Sequence, residues 1–453
     1  MQPTTVERRQ EEFIALMAQR MGQVARRLSA FVGETPRTLG ELEQQTIALV
    51  KDLGNALLAG ACQLTAPVPA SPQIPCACGQ VAAYQRWRPA QVLTVLGPIT
   101  VQRPYYHCAH CRQGRAPLDQ QLDLCAGSIS AGVDELLALL GAKEDSFEEA
   151  AAVLDKLTLV RVCPNLARAA AERLGQVLHA AERQAVAAAW AADAVPPAAT
   201  PPAARLYVSM DGVLVHTYAG WKEYKLGAVY TTLARVAKQR PGALVIRTQE
   251  SSFVGDFADP QAFGQALWCE AARRGVLQAG EVIVIGDGAH WIWNLAAEHF
   301  PEALQIVDWY HATQYIWQVA NAVYGEGTDL AKQWARARLD DLWDGRVADV
   351  LAAFQAHTGA GQPVQEAIAY YTNNRERMRY PEYRVRGIQI GSGTIESGCH
   401  HVIGARLKQA GMIWQVEGAR AVATVRTWLK SGRWHEAMAL RPPRHRTYQR
   451  RAA

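Results

Sequence analysis

No apolar run in the chain approaches the ~20 residues of a membrane-spanning helix, so no span is expected. The N-terminus, "MQPTTVERRQEEFIAL", is charged and periodic, which excludes a secretory signal. Cysteine is sparse and odd in number, nine in 453 residues. That argues against a disulfide framework and for a reducing compartment, so a cytoplasmic protein is expected. Charge of one sign is also scarce overall, with a net +5 at pH 7. Its distribution is uneven, however. From Arg420 to Arg451 nine Lys/Arg stand against one acid, Glu436, which fits a nucleic-acid partner and equally fits a solvated tail. What the chain has is length enough for two to four domains, and 49% hydrophobic residues, enough for a large core.

Along the chain the pattern changes several times. Residues 1–70 place apolar residues three and four apart and read as helices. Residues 71–125 alternate like strands through "VLTVLGPITVQRPYYHC", with a turn expected at Gly97-Pro98. Residues 126–190 return to helix. "SFEEAAAVLDKLT" opens on Ser146 as a cap, and with "LVRVCPNLARAAAERLGQVL" it suggests two short helices in a helix-turn-helix. Residues 191–205, "AADAVPPAATPPAAR", read as a Pro/Ala linker. Residues 206–324 then give three strands followed by helix, strand, helix, strand and helix. That is the element order of an RNase H-like α/β domain. Residues 325–385 are helical and charged and read as an insertion. Residues 386–435 are glycine-rich and then helical, and 436–453 form a basic tail.

Two carboxylates stand out within this order. Asp211 lies inside the apolar first strand, "YVSMDGVLVH", where a carboxylate is costly unless paired or metal-bound. Asp287 follows the fourth strand in "VIVIGDGAH", between two glycines. A third acid, Glu396, enters a helix after two glycines in "GSGTIESGCHH". Three carboxylates from separated segments can hold two Mg²⁺ ions, with Mn²⁺ as a substitute. Such ions take oxygen ligands and support in-line phosphoryl transfer. The bland alternative is three unrelated turn and cap acids.

The cysteines form a second constellation. Cys76 and Cys78 in "PCACGQ", with Cys108 and Cys111 in "HCAHCRQG", bracket the strand pair and suggest a Zn²⁺ ribbon with thiolate ligands. The first pair is C-x-C, tighter than a usual knuckle, so His107 and His110 stand as reserve ligands. Cys62, Cys125, Cys163, Cys269 and Cys399 are scattered and read as packing residues. "CHH" at 399–401 does not read as a metal site, because neighbouring helix residues diverge. Near Glu396, Arg406, Lys408, Arg420 and Arg426 offer phosphate contacts. Trp414 offers a stacking surface for an unpaired base, or a core residue.

"TVLGPITVQRPYYHCAHCRQGRAPLD", "SMDGVLVHT", "VIGDGAHWIW", "IVDWYHATQYIW" and "IGSGTIESGCHHVIGARLKQAGMIWQVEGARAVATVRT" occur in that order. Together they resemble a bacterial insertion-sequence transposase of the DDE class, of the ISKra-four type, distantly similar to Mutator-like transposases. The resemblance runs from about residue 75 to residue 435. It implies an RNase H-like catalytic domain with a helical insertion before the last acid, and Asp211, Asp287 and Glu396 as the catalytic metal ligands. It also implies cleavage at element ends, joining of the 3′-hydroxyl to target DNA, and a dimer or higher assembly on double-stranded DNA carrying terminal inverted repeats. A bacterial cytoplasmic protein associated with the nucleoid follows. Related transposases share a Cys- or Asp-x-x-His pattern that "DWYH" matches at Asp308 and His311. Either His311 positions DNA or a ligand water and Asp308 sits near the metals, or they are a polar pair at a strand-to-helix junction with Asp308 capping the helix. Two rivals remain: a related nuclease that cuts without joining, and a DNA-binding regulator without catalysis.

Overall fold

The computed structural model describes residues 4–66, 70–124, 128–191, 195–236 and 244–443. Cys125 and the tail from residue 444 onward lie outside them. The chain divides into two compact units, Met1–Ala170 with Arg441–Ala453, and Ala171–Leu440.

The first unit opens with two helices, Thr5–Glu34 and Leu39–Leu64. Each starts with a reciprocal cap: Thr4 with Glu7 and Thr38 with Glu41 satisfy backbone N–H groups that the first turn leaves unpaired. Leu39–Leu64 is, among the described residues, the one helix long and apolar enough to cross a membrane by length and composition. Here it packs against the first helix and a strand. Five strands follow: β1 (Gln73–Pro75), β2 (Val81–Thr94), β3 (Gly97–His107), β4 (Gly114–Arg115) and β5 (Ser128–Ile129). β2 and β3 pair antiparallel through most of their length. The turn between them differs from the expected position. It falls at Val95-Leu96, with Gly97 at φ 122° opening β3 and Pro98 already paired with Leu93. Thr94 fixes it, donating to the Gly97 carbonyl and accepting from Leu96 N–H.

Helices Ala131–Lys143 and Phe147–Thr158 come next, the latter capped by Ser146. The following helix, Pro164–Ala191, runs 28 residues, so the expected pair of short helices is corrected to one short and one long.

The second unit is mixed α/β. Its sheet has β6 (Leu206–Thr217), β7 (Gly220–Val236), β8 (Leu244–Asp256), β9 (Val282–Gly286) and β10 (Leu304–Val307), in the order β10-β9-β6-β7-β8. β6, β7 and β8 form an antiparallel meander, while β9 and β10 run parallel to β6. The parallel strands are buried where β6 and β9 pair: Tyr207, Val208, Ile283, Val284 and Ile285 have no exposed surface, as near-continuous apolar runs require. Pro260–Arg273 and His290–His299 separate the strands in sequence. Trp309–Tyr324 follows β10, then Asp329–Trp343, Val347–Gln355, Gln362–Asn374 and Tyr380–Val385. The chain returns through Gly393–Gly398, one π-helical turn Cys399–Gly404, and Val416–Lys430, which packs on β8. Gly398 is small for a reason. A Cβ there would stand 2.8 Å from the Phe253 ring, too close for the helix to lie on the sheet.

Candidate functional site

The β6–β9 register decides the site. Ser209 pairs with Ile285, so two residues further on Asp211 comes beside Asp287. Asp287 stands in a turn that both flanking glycines make possible. A Cβ on Gly286 would meet Ile292 at 2.7 Å. Gly288 takes φ 107°, and a Cβ there would meet the Tyr370 ring at 2.4 Å. Tyr370 packs into the space left free and donates its hydroxyl to the Asp287 carbonyl at 2.5 Å. The Asp287 carboxylate accepts from Ala289 N–H at 2.8 Å.

Asp211 accepts from Gly212 N–H at 2.7 Å and from the Cys399 thiol at 3.5 Å. Burial pushes its carboxyl above the usual range. The Gly212 bond opposes that shift and the neighbouring Asp287 charge adds to it. Two carboxylates are thus held near one another, one within β6 and one just past the end of β9.

Asp308 is fully buried. It caps Trp309–Tyr324, and its Oδ1 accepts from His311 N–H at 2.7 Å and lies 3.0 Å from His311 Nδ1. Its Oδ2 accepts from Ser392 N–H. Its own N–H donates to the Gly286 carbonyl at 2.8 Å, and the next N–H, of Trp309, reaches the Ile390 carbonyl at 2.9 Å. Burial would raise this carboxyl, but the bonds from His311 and Ser392 outweigh it and hold it below the usual range. Asp308 therefore ties the end of β9, the start of a helix and the loop before Glu396 into one piece.

The bond to Asp308 raises His311 above the ordinary imidazole range; burial opposes the shift, while the Asp308, Asp287 and Glu396 charges support it. Glu396 is exposed and accepts from the Ser392 hydroxyl at 2.7 Å. Asp308, His311 and Glu396 each offer a ligand atom within 4.8 Å of the others. Of the expected acids only Glu396 belongs to that group; Asp287 acts electrostatically on both His311 and Asp211, while Asp211 and Asp287 stand outside the set of close ligand atoms.

The expected DNA contacts separate into two groups. Arg406 is fully buried, Arg426 is 3% exposed and Trp414 is 7% exposed. These three are corrections, because a side chain enclosed in the core reaches neither a phosphate nor a base. Arg426 donates to the carbonyls of His401 and Val402, which the π turn turns inward. Trp414 donates its indole N–H to Leu407 and lies 5.0 Å from the Arg406 guanidinium. Arg420 is held by Asp256 and Glu417. Lys408 alone of the five is exposed. It lines an open cleft with Asp211, Cys399 and His400. Cys399, read from sequence as a packing residue, borders the site. Its proximity to Asp211 spans 188 residues of sequence and has no local signal. A single π turn is a frequent companion of functional positions, but its sequence here carries no mark of it.

In the first unit the four cysteines converge. Cys76 Sγ lies 3.5 Å from Cys111 Sγ, and Cys78 Sγ lies 3.7 Å from Cys108 Sγ. All four sulfurs lie within 4.8 Å of one another. Tetrahedral thiolates around zinc, with Zn–S near 2.3 Å, stand roughly 3.8 Å apart. The set can therefore hold a metal such as zinc without His107 or His110. Gly79, at φ 85°, turns the chain tightly enough for the C-x-C pair: Cys76 N–H donates to the Gln80 carbonyl and Gly79 N–H to the Cys76 carbonyl. The N–H groups of Cys111 and His110 donate to the Cys108 sulfur and help bring its thiol down to about 7, against opposing desolvation.

The family described as Uncharacterised protein family (UPF0236) matches the chain over residues 274–441. That stretch contains Asp287, Asp308, His311 and Glu396 and stops short of Asp211. No curated protein matches the chain.

Proposed function

We propose that the protein is a DDE transposase with an RNase H-like catalytic domain. It cuts DNA at insertion-sequence ends and joins the freed 3′-hydroxyl to target DNA. One observation carries this reading: Asp211, within β6, and Asp287, just past the end of the parallel strand β9, lie close enough to interact electrostatically, and Asp287 and Glu396 both act on His311. The sheet order and the helices between β10 and Glu396 support it.

Asp211, Asp287 and Glu396 would hold Mg²⁺, which when bound stabilises the charge that develops in phosphoryl transfer. Asp308 orients His311 and the Ser392 loop. Ser392 in turn holds the Glu396 carboxylate. His311, kept protonated more readily by its neighbours, is suited to hydrogen-bond an oxygen of the scissile phosphate. Lys408, at the mouth of the Asp211 cleft, faces the strand that enters. In the first unit, Cys76, Cys78, Cys108 and Cys111 would form a zinc ribbon. That ribbon and the helices after it would recognise the terminal repeats.

The test uses DNA carrying the gene's own flanks, with wild type, Asp287→Ala and Glu396→Gln. Metal-dependent cuts at the flank ends, absent in both variants, are expected, with joined products. Cuts without joining would make it a nuclease. Binding without cleavage under any divalent ion would make it a regulator and would overturn the catalytic reading.

A further inference from the structure

A second cavity lies against the turn that carries Asp287. The helices His290–His299, Trp309–Tyr324 and Gln362–Asn374 enclose about 550 Å³, with Gly288 at one edge. That volume is in the usual range for a site that takes one small ligand. The Tyr315 and Tyr370 rings line it, stacked 4.0 Å apart. Trp293 lines it too. It is 6% exposed, and its buried indole N–H has no hydrogen-bond partner among the described residues.

The polar groups at this cavity do not favour an anion. Its one arginine, Arg377, is already engaged by Gln305 and the Asn373 carbonyl and lies over the Trp293 ring at 4.5 Å. Glu366 adds a negative charge at the mouth. A phosphate has little to bind here. What remains is flat aromatic surface, an unpaired donor, and exposed amides at the rim, of which Asn373 is one. Neutral planar heterocycles with their own donors and acceptors match that chemistry. In nucleic acid these are unpaired bases, which stack on aromatic rings and are read along their hydrogen-bonding edge.

We propose that this cavity takes a base unstacked from the DNA strand beside the scissile phosphate. The inference rests on the DNA-cleavage reading and adds to it a specific seat for one nucleotide. Tyr370 is both a wall of the cavity and the hydroxyl that holds the Asp287 carbonyl. A base seated against it lies next to the catalytic turn, so seating and strand placement are coupled.

The test measures binding of the full chain in EDTA by fluorescence anisotropy. The probes are a labelled single-stranded oligonucleotide of the flank sequence and the matching duplex. Base–aromatic stacking adds to affinity for any base seated on the ring. Tyr315→Ala should therefore weaken single-strand binding about tenfold, with the duplex affinity nearly unchanged. Tyr315→Phe should restore it. Asn373→Ala, at the exposed rim, should weaken it less and cannot be dismissed as misfolding. Wild-type affinity in both Tyr315→Ala and Asn373→Ala overturns the proposal, as does equal loss on both probes. Metal-dependent cleavage of the flank duplex is assayed in parallel. Cleavage that persists while single-strand binding ignores Tyr315 sinks the base seat alone. A wild type that neither binds nor cuts any DNA sinks both readings.

Discussion

Gly288→Ala tests how tightly the turn that carries Asp287 is built. The residue holds φ 107°, a region that side chains avoid, so alanine there costs on the order of 1–3 kcal/mol. Its Cβ would also stand 2.4 Å from Tyr370 Cε2. That ring cannot withdraw cheaply, because it stacks on Tyr315 and its hydroxyl is bonded to the Asp287 carbonyl. Overpacking of this kind adds about 1–3 kcal/mol. The two contributions separate in a double-mutant cycle with Tyr370→Ala, where the overlap vanishes and only the backbone strain remains. All but one of the 13 tryptophans, Trp87, lie in the second unit, so urea unfolding followed by intrinsic fluorescence reports on it. Gly288→Ala should lower the unfolding free energy by roughly 3–4 kcal/mol in the wild-type background, and by at least about 1 kcal/mol less in the Tyr370→Ala background. An equal loss in both backgrounds refutes the packing argument. An unchanged midpoint refutes the turn geometry altogether. In the flank-cleavage assay the same variant should lose activity by about two orders of magnitude, since small misplacements of a reacting group have effects of that size.

The purified protein should carry zinc, and Cys108→Ser should lose it and lower the thermal transition of the first unit; wild type without metal and insensitive to chelators would refute the ribbon. Asp308→Asn keeps the shape but removes one acceptor from the His311 and Ser392 pair, and should destabilise by about 1–3 kcal/mol and abolish cleavage. Full activity in that variant would show that the buried carboxylate positions nothing. Lys408→Ala should reduce the salt dependence of DNA binding by about one unit of slope, whereas Arg426→Ala should reduce stability and leave the slope alone; the reverse pattern would place Arg426 at the DNA. Glu182 titrates near 4.5 when unfolded, and burial raises it to about 7 in the folded chain, although the Trp428 indole donates to it. The folded state then holds a proton that the unfolded state has released. Stability should therefore fall as pH rises from 4.5 to about 7 and level off above, by at most about 3 kcal/mol and by less because the Glu182 side chain is only half-buried. Glu182→Gln keeps an acceptor for Trp428 and should flatten that slope in a pH series of thermal melts; an unchanged slope would assign it to other groups.

The strands were readable because the periodicity that reports them is local. β6 and β9 are runs of buried residues, and an acid within or just after such a run is conspicuous. Asp308 was visible as a helix cap for the same reason, and capping is one of the things it does. Its second role was hidden, because Ser392 lies 84 residues away in sequence. Tyr370 reaches Asp287 across 83 residues, from the middle of a helical segment whose own pattern says only that it packs. The arginines misled in a different way. A basic residue near a catalytic acid reads as a phosphate contact because charge ordinarily stays at the surface. Arg406 and Arg426 are exceptions, and Arg426 is buried because a π turn presents carbonyls that need donors inside the fold.

The two glycines around Asp287 serve unlike purposes. Gly286 admits Ile292 from the next helix and so closes the core beneath the turn. Gly288 admits Tyr370 from a helix far along the chain and so roofs it. Between them a carboxylate is pressed toward Asp211, against the preference of like charges to separate. A turn whose only duty was to end a strand would gain nothing from that repulsion. Burial raises Asp211 and the neighbouring Asp287 charge adds to the shift, so a divalent cation held by the pair, as the proposed reaction requires, would offset a repulsion that the fold maintains without it. The packing of apolar residues above and below the turn is thus what holds the charged pair in readiness.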